Sequence, residues 1–77
     1  MHEVSIAQHL IELSYQAAEG QKILSLQLRL GSTSCVAEES LRFCFDVVAR
    51  GTLAQGARLD IELVPGPEFQ LVSLEVE

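Results

Sequence analysis

KILSLQLRL, residues 22–30, alternates apolar and polar side chains from Leu24 to its end. One face of an extended chain would carry leucines alone, namely Leu24, Leu26, Leu28 and Leu30. The opposite face would carry the polar side chains between them, namely Ser25, Gln27 and Arg29. A strict period of two does not fit a helix, so the pattern predicts a strand with one covered face and one face in solvent.

A helical pattern precedes this strand, over residues 5–19. Its apolar residues recur at spacings of three and four, as in Ile6, Leu10, Leu13 and Ala17. Ser5 and Gln8 can form a capping box at the start of the helix. Gly20 is placed to end it, because glycine adopts the left-handed conformation that often follows a last helical turn.

A second helix is predicted over residues 36–49, after a loop at residues 31–34. Ser34 can cap it, and the carboxylates of Glu38 and Glu39 would lie near the positive end of the helix dipole. Gly51 can close it. Its apolar stripe consists of Ala37, Leu41, Cys44, Phe45 and Val48.

Two further strands are predicted at the end of the sequence. Residues 57–64 alternate, with Leu59, Ile61 and Leu63 on the apolar face, until Pro65-Gly66-Pro67 interrupts them. Residues 68–77 change phase near Val72-Ser73, which indicates a bulge or a change of partner there. The short connection predicts that these two strands are antiparallel neighbours. The order α-β-α-β-β predicts a small single α+β domain, in which two helices pack on one face of a three-stranded sheet.

Composition restricts the class of protein. The 77 residues are 48% hydrophobic, which is typical of one globular domain. Five Lys and Arg against eleven Asp and Glu give a net charge of −6, and the cations are scattered, which argues against nucleic-acid binding. No apolar run approaches the roughly 18 residues of a membrane span. Two cysteines without a CxxC pair, and no signal peptide, indicate the reducing cytoplasm. The small size favours self-association.

No catalytic set is recognisable, and we therefore expect a protein that is not an enzyme. A nucleophile needs a base within hydrogen-bond reach, but the histidines are His2 and His9 alone. Cys44 falls on the apolar stripe of the second helix, where thiols are usually inert. Cys35 should be more exposed, yet a small loop residue is a commoner role than a reactive thiol. His9 has no convincing metal-binding partner three or four positions away.

The extreme N-terminus, Met1-His2-Glu3, offers a metal site. The terminal amine and the amide nitrogen of His2 can close a five-membered ring on a cation, and the amide and imidazole a six-membered ring. Such nitrogens approach a plane, which suits Ni(II) or Cu(II) rather than tetrahedral zinc. Protons on the amine and imidazole would compete with the metal. On chemistry alone, an ordinary chain terminus remains the alternative.

The same residues begin a longer resemblance. MHEVSIAQ at residues 1–8 resembles the start of the HypA/HybF hydrogenase nickel-incorporation proteins, which typically begin Met-His-Glu-Leu-Ser-Leu-Ala. Further similarity follows in order: LRLG at 28–31, LRFCFDVV at 41–48, GTLAQGA at 51–57, IELVPG at 61–66 and SLEVE at 73–77. The resemblance covers nearly the whole chain.

The resemblance implies a nickel metallochaperone. Such proteins deliver nickel during maturation of nickel-iron hydrogenase, and in some bacteria of urease, together with the GTPase HypB and the hydrogenase large subunit. Their nickel site is built on Met-His-Glu, which corresponds here to Met1, His2 and Glu3. Their fold is likewise two helices on a three-stranded sheet.

One departure from the family is large. Its members carry a zinc domain with two CxxC pairs before the final strand, at a point corresponding to residues 65–68 here. We therefore expect no zinc and a single domain over residues 1–77. A further histidine near that insert is also missing, so the fourth nickel position needs water, Glu3 or a partner's donor. The alternative to a zinc-less metallochaperone is an adaptor or subunit that acts through protein contacts in a hydrogenase assembly, without nickel transfer.

Overall fold

A computed structural model of the chain describes residues 3–77. The order of its elements is the predicted one: helix α1 at Glu3–Ala18, strand β1 at Ile23–Gly31, helix α2 at Glu38–Val48, strand β2 at Arg58–Val64 and strand β3 at Phe69–Val76. The predicted fold class, two helices and a three-stranded sheet, is confirmed. All ten predicted boundaries lie within two residues of the observed ones.

The strand order of the sheet is β2-β1-β3, with β1 parallel to β2 and antiparallel to β3. The prediction that the last two strands are neighbours is therefore wrong. The chain passes from β1 to β2 through α2, and a crossover of this kind places two strands side by side in parallel. β2 thus takes one edge of β1, and β3 pairs with the other.

The connection between β2 and β3 has to pass the end of β1, and backbone hydrogen bonds fix it there. The Gly31 N–H donates to the Glu68 oxygen at 2.6 Å, the Ser32 N–H to the Val64 oxygen at 2.7 Å, and the Thr33 N–H to the Gly66 oxygen at 2.9 Å. A Cβ at residue 31 would lie 2.7 Å from the Gly66 carbonyl carbon and closer still to two other backbone atoms. Only glycine permits this crossing.

Two irregularities set which strand residues are buried. Gln27 pairs with Ser73 and Leu28 with Leu71, so Val72 is unmatched and the predicted bulge is confirmed. A second register shift leaves Leu24 unmatched in β1. Leu24 is 44% exposed, so its predicted place on the covered face is wrong, and the fully buried Ile23 occupies the core instead.

The core lies between the sheet and the helices. α1 packs against α2 and covers β1 and β3. The buried residues of the central cluster are Ala7, Leu10, Ile11, Ala18, Ile23, Leu26, Leu28, Leu41, Phe45, Ala49, Ala54 and Leu59. Besides Leu24, three apolar residues predicted to be covered are exposed: Ala17 on α1, Ala37 directly before α2, and Leu63 near the end of the edge strand β2.

Each helix starts two residues away from its predicted first residue and ends one residue earlier than predicted. Gly20 has a φ of +84°, so the predicted left-handed end of α1 is confirmed. Ser5 lies inside α1 rather than at its cap, because the helix already includes Glu3. Ser34 does not cap α2 either, since Ala37 occupies the capping position without a side-chain hydrogen bond. The N–H of Ala37 instead donates to the carboxylate of Glu3 in α1.

Candidate functional site

The candidate site lies at the start of α1. Met1 and His2 are outside the described residues, so their predicted amine-amide-imidazole donors stay a prediction. Glu3, the third residue of the motif, is described and is half-buried. The site can therefore be built from Glu3 and its surroundings.

The carboxylate of Glu3 bonds to the start of the second helix. Its Oε2 accepts a hydrogen bond from the Ala37 N–H at 3.3 Å, across 34 residues of sequence. Ala37 directly precedes α2, where unpaired N–H groups and the helix dipole favour a negative charge. The contact fixes the beginning of α1 to the beginning of α2. A cation held by Met1-His2-Glu3 would thus lie beside an ordered point of the fold.

Arg42 holds the same end of α2 in place. Its guanidinium bonds to the Glu38 carboxylate one turn earlier, at 3.2 and 3.3 Å, and to the backbone oxygen of Leu59 in β2. Glu38 therefore has a cationic partner inside the domain. Sequence reasoning missed both Ala37 and Arg42 as supports of the site, because contacts between distant residues leave no periodic pattern.

The other candidate ligands are dispersed. The imidazole of His9 is 61% exposed, and its Nδ1 lies 3.9 Å from the Glu12 carboxylate. Within residues 3–77, no group of three or more His, Cys, Asp and Glu side chains could hold a metal ion.

The two cysteines are free thiols. Cys35 is exposed, with a φ of +63°, and its Sγ lies 3.8 Å from the Thr33 oxygen. Cys44 is half-buried and packs against the core. The predicted difference in their exposure is confirmed.

No helix in the described part of the chain is long and apolar enough to cross a membrane.

The open face of the sheet carries polar side chains that bond across the strands. Gln27 donates to the Asp60 carboxylate at 2.9 Å, and Arg58 contacts the same oxygen at 3.0 Å. The hydrogen bond from Gln27, followed by the bond and charge of Arg58, lowers the pKa of Asp60 from its ordinary 3.8. A shallow concavity here is lined by Gln27, Asp60, Glu62, Val72 and Ser73 among others.

Comparison with known proteins gives one consistent result. Residues 1–69 match the family described as "Hydrogenase/urease nickel incorporation, metallochaperone, hypA". A hydrogenase maturation factor HypA of Geobacter sulfurreducens is 48% identical over 66 residues, which cover 86% of this chain and 60% of that protein. The corresponding factor of Azotobacter vinelandii is 45% identical over 69 residues, covering 86% of this chain and 61% of that one.

The fold is shared as well. The solution structure of the nickel metallochaperone HypA from Helicobacter pylori superimposes with a TM-score of 0.84 at 20% identity, covering 99% of this chain and 97% of that one. The chain spans about 60% of the length of the curated relatives it matches.

Proposed function

Since the chain belongs to the HypA family of hydrogenase and urease nickel-incorporation metallochaperones, we propose that it carries Ni(II) for the maturation of nickel-iron hydrogenase. The cargo is held at Met1-His2-Glu3. The observation that carries this proposal is the hydrogen bond between Glu3 and Ala37, which fixes the end of the motif to the folded domain. A fixed support reduces the conformational entropy that a chelating terminus loses when it binds a metal.

The motif provides a nitrogen-rich set for Ni(II). The terminal amine, the amide nitrogen of His2 and its imidazole close two adjacent rings, which favour the tetragonal geometry of Ni(II). Water, the Glu3 carboxylate or a donor from the recipient completes the coordination. A coordination position whose ligand exchanges easily suits a metal carrier, because a ligand from the recipient can bind the nickel before the carrier's own ligands leave. Protonation of the imidazole, whose ordinary pKa is about 6.5, releases the metal in acid.

The partners follow from the same family. The hydrogenase large subunit receives the nickel, the GTPase HypB takes part in the transfer, and urease is a second possible recipient. The chain needs no zinc for this role. A structural zinc site takes four ligands, often all thiolates, and the sequence has Cys35 and Cys44 alone.

Calorimetric titration with Ni(II) tests the proposal, on protein shown by mass spectrometry to begin at Met1. We expect about one Ni(II) per chain, with the absorption spectrum of a tetragonal nitrogen site. His2→Ala should abolish this binding, and acetylation of the Met1 amine should do the same because it replaces the free amine by an amide. His9→Ala is the matched control, since it removes an exposed imidazole of α1 and should leave binding unchanged.

Unchanged nickel binding in His2→Ala would place the site elsewhere. If the native protein bound no nickel but purified with a larger partner, the adaptor function would replace the carrier function. The variant Glu3→Gln distinguishes a structural role of the Glu3 side chain from coordination of nickel by its carboxylate. The amide oxygen can still accept the hydrogen bond from Ala37, so nickel affinity should persist unless the carboxylate itself coordinates the metal.

A further inference from the structure

The outer edge of β2 carries backbone groups that point away from the sheet. The N–H and C=O groups of successive strand residues point to opposite sides, so every second residue bonds to a given neighbouring strand. The Val64 oxygen accepts the Ser32 N–H just beyond β1, so Val64 and the residues in phase with it point towards β1. The backbone groups of Leu59, Ile61 and Leu63 therefore point away from β1.

Arg42 covers the first part of this outer edge. Its guanidinium reaches from α2 and donates to the Leu59 oxygen. Among residues 3–77, no such bond reaches the backbone of Ile61 or Leu63. The N–H and C=O groups of these two residues are thus left to solvent or to another chain. Unpaired backbone groups along a strand edge are a template on which an extended peptide can add a strand.

The other edge of the sheet is less suited to an added strand. β3 contains the bulge at Val72, and a bulge twists an edge and interrupts its row of backbone groups. β2, in contrast, pairs with β1 without any shift of register. An incoming chain therefore finds a regular row of donors and acceptors at the second half of β2.

The side chains around this half of β2 indicate which kind of segment fits it. On the helix side of the sheet, the apolar Leu63 is 61% exposed. On the open face, the adjoining carboxylates are Asp60 and Glu62. The Glu62 side chain is 67% exposed, and its cationic neighbour Arg29 lies on β1, away from the edge. Alternate side chains of an added strand would lie beside Leu63 and beside these carboxylates, so apolar and cationic residues in alternation would complement them.

We propose that the outer edge of β2 from Ile61 to Val64 binds an extended segment of a partner protein in which apolar and basic residues alternate. The backbone of the segment pairs with Ile61 and Leu63. Its apolar side chains cover Leu63, and its basic side chains face Glu62. The net charge of −6 on the chain favours the approach of a basic segment, most strongly at low salt.

The docked segment would lie at the end of the domain that holds Glu3. β2 ends at Val64, whose oxygen accepts the Ser32 N–H, and the loop after Ser32 leads to Ala37, which donates to Glu3. A partner bound at this edge would therefore bring its own ligands towards the nickel, a consequence that rests on the proposed carrier function. The docking itself needs no metal.

A peptide titration followed by NMR tests the docking. The probe is a short peptide of alternating valine and lysine with blocked ends, added to isotope-labelled protein in the presence of a metal chelator. We expect the Ile61 and Leu63 amides to shift and to exchange more slowly with solvent, with a Kd on the order of 1 mM. The matched peptide of alternating valine and glutamate should bind at least about tenfold more weakly, because it places like charges beside Glu62.

Two lysine substitutions distinguish this edge from the rest of the surface. Leu63→Lys removes the exposed apolar side chain and adds a cation, so it should weaken binding of the valine–lysine peptide about tenfold or more. Val72→Lys is the matched control, since Val72 is 47% exposed on β3 and the substitution adds the same charge. It should change the Kd by less than about twofold. Both side chains are exposed, so both variants should keep the fold, which circular dichroism checks.

Three results would overturn the proposal: no shift of the Ile61 and Leu63 amides at about 10 mM peptide, equal binding of the valine–glutamate peptide, or equal weakening by Val72→Lys and Leu63→Lys. Shifts of the same amides with protein concentration alone would assign the edge to a second copy of the chain and would overturn it as well. Because the chelator removes nickel, each of these results leaves the metal proposal standing, and a failed nickel titration leaves the docking standing.

Discussion

Replacing Gly31 by alanine should destabilise the domain far more than its single methyl group suggests. Gly31 is the last residue of the central strand β1, and the connection from β2 to β3 crosses the end of that strand beside it. The new Cβ would lie 2.7 Å from the Gly66 carbonyl carbon, and nearer to the Gly66 oxygen and the Glu68 nitrogen. These are backbone atoms, so they cannot rotate away as the tip of a side chain would. The connection itself has to move.

The cost follows from the contacts that such a movement breaks. Three hydrogen bonds join residues 31–33 to the connection, and each contributes about 1 kcal/mol net. Strain from a methyl group in a packed position adds about 1–3 kcal/mol if the backbone resists. Either the backbone stays in place and bears the strain, or the connection moves and loses hydrogen bonds. The two costs are therefore not added, and we expect Gly31→Ala to lower the free energy of unfolding by about 2–3 kcal/mol. A domain of this size has a total stability of about 4–12 kcal/mol.

Urea unfolding followed by far-ultraviolet circular dichroism measures this cost, and Tm should fall by about 10–20 °C. Gly20→Ala is the matched control. Gly20 has a φ of +84° with nothing within 4 Å of a Cβ, so its cost of about 1 kcal/mol reflects backbone conformation alone. Hydrogen exchange should also become faster at the Ser32 and Thr33 amides in Gly31→Ala alone. A cost no greater than that of the control, with those amides still protected, would refute the reasoning.

Three further predictions concern other parts of the molecule. Tyr15→Phe removes the hydroxyl that accepts the Leu53 N–H at 2.8 Å, so exchange at that amide should accelerate and stability fall by about 0.5–1 kcal/mol; an unchanged exchange rate would contradict the contact. Asp60 has a lowered pKa in the folded state, owing to Gln27 and then Arg58, so its contribution is present above pH 3.8 and is lost as pH falls through the lowered value. Asp60→Asn should therefore flatten the acid side of the stability curve, and an identical acid slope would count against it. Elemental analysis of protein purified without chelator should find far less than one zinc per chain, whereas stoichiometric zinc would disprove the zinc-less prediction.

Hydrophobic periodicity predicted the strands of this sheet but not the order in which they pair. Alternation located all three strands and even the bulge at Val72, because both depend on neighbouring residues. The partners of each strand depend on the path of the connections. From Val64 to Phe69 the chain can span about 17 Å, whereas two strand spacings need only about 10 Å, so the short connection can cross β1. The helix between β1 and β2 was the better indication, since it favours parallel neighbours.

The candidate site was predictable to a smaller extent. The chelating chemistry of His2 and the terminal amine follows from residue types and their position in the sequence. The bond from Ala37 to Glu3 does not, because it joins residues 34 positions apart and uses a backbone donor. For the same reason the capping prediction for Ser34 was wrong, because α2 receives its carboxylate from another helix. The capping prediction for Ser5 was wrong because α1 already includes Glu3. Contacts between residues that are far apart in the sequence can be recognised only once the fold is known.

The central position of β1 has a consequence for synthesis of the protein. About 45 residues separate the end of β1 from the end of β3, its antiparallel partner. At the usual rate of translation, roughly 2–9 s pass before that partner has been made. During this time one edge of a leucine-rich strand has no mate and can pair with a neighbouring nascent chain on the same polysome. Yield in cells should therefore depend on the spacing of ribosomes along the message and on chaperones that cover the leucines of β1.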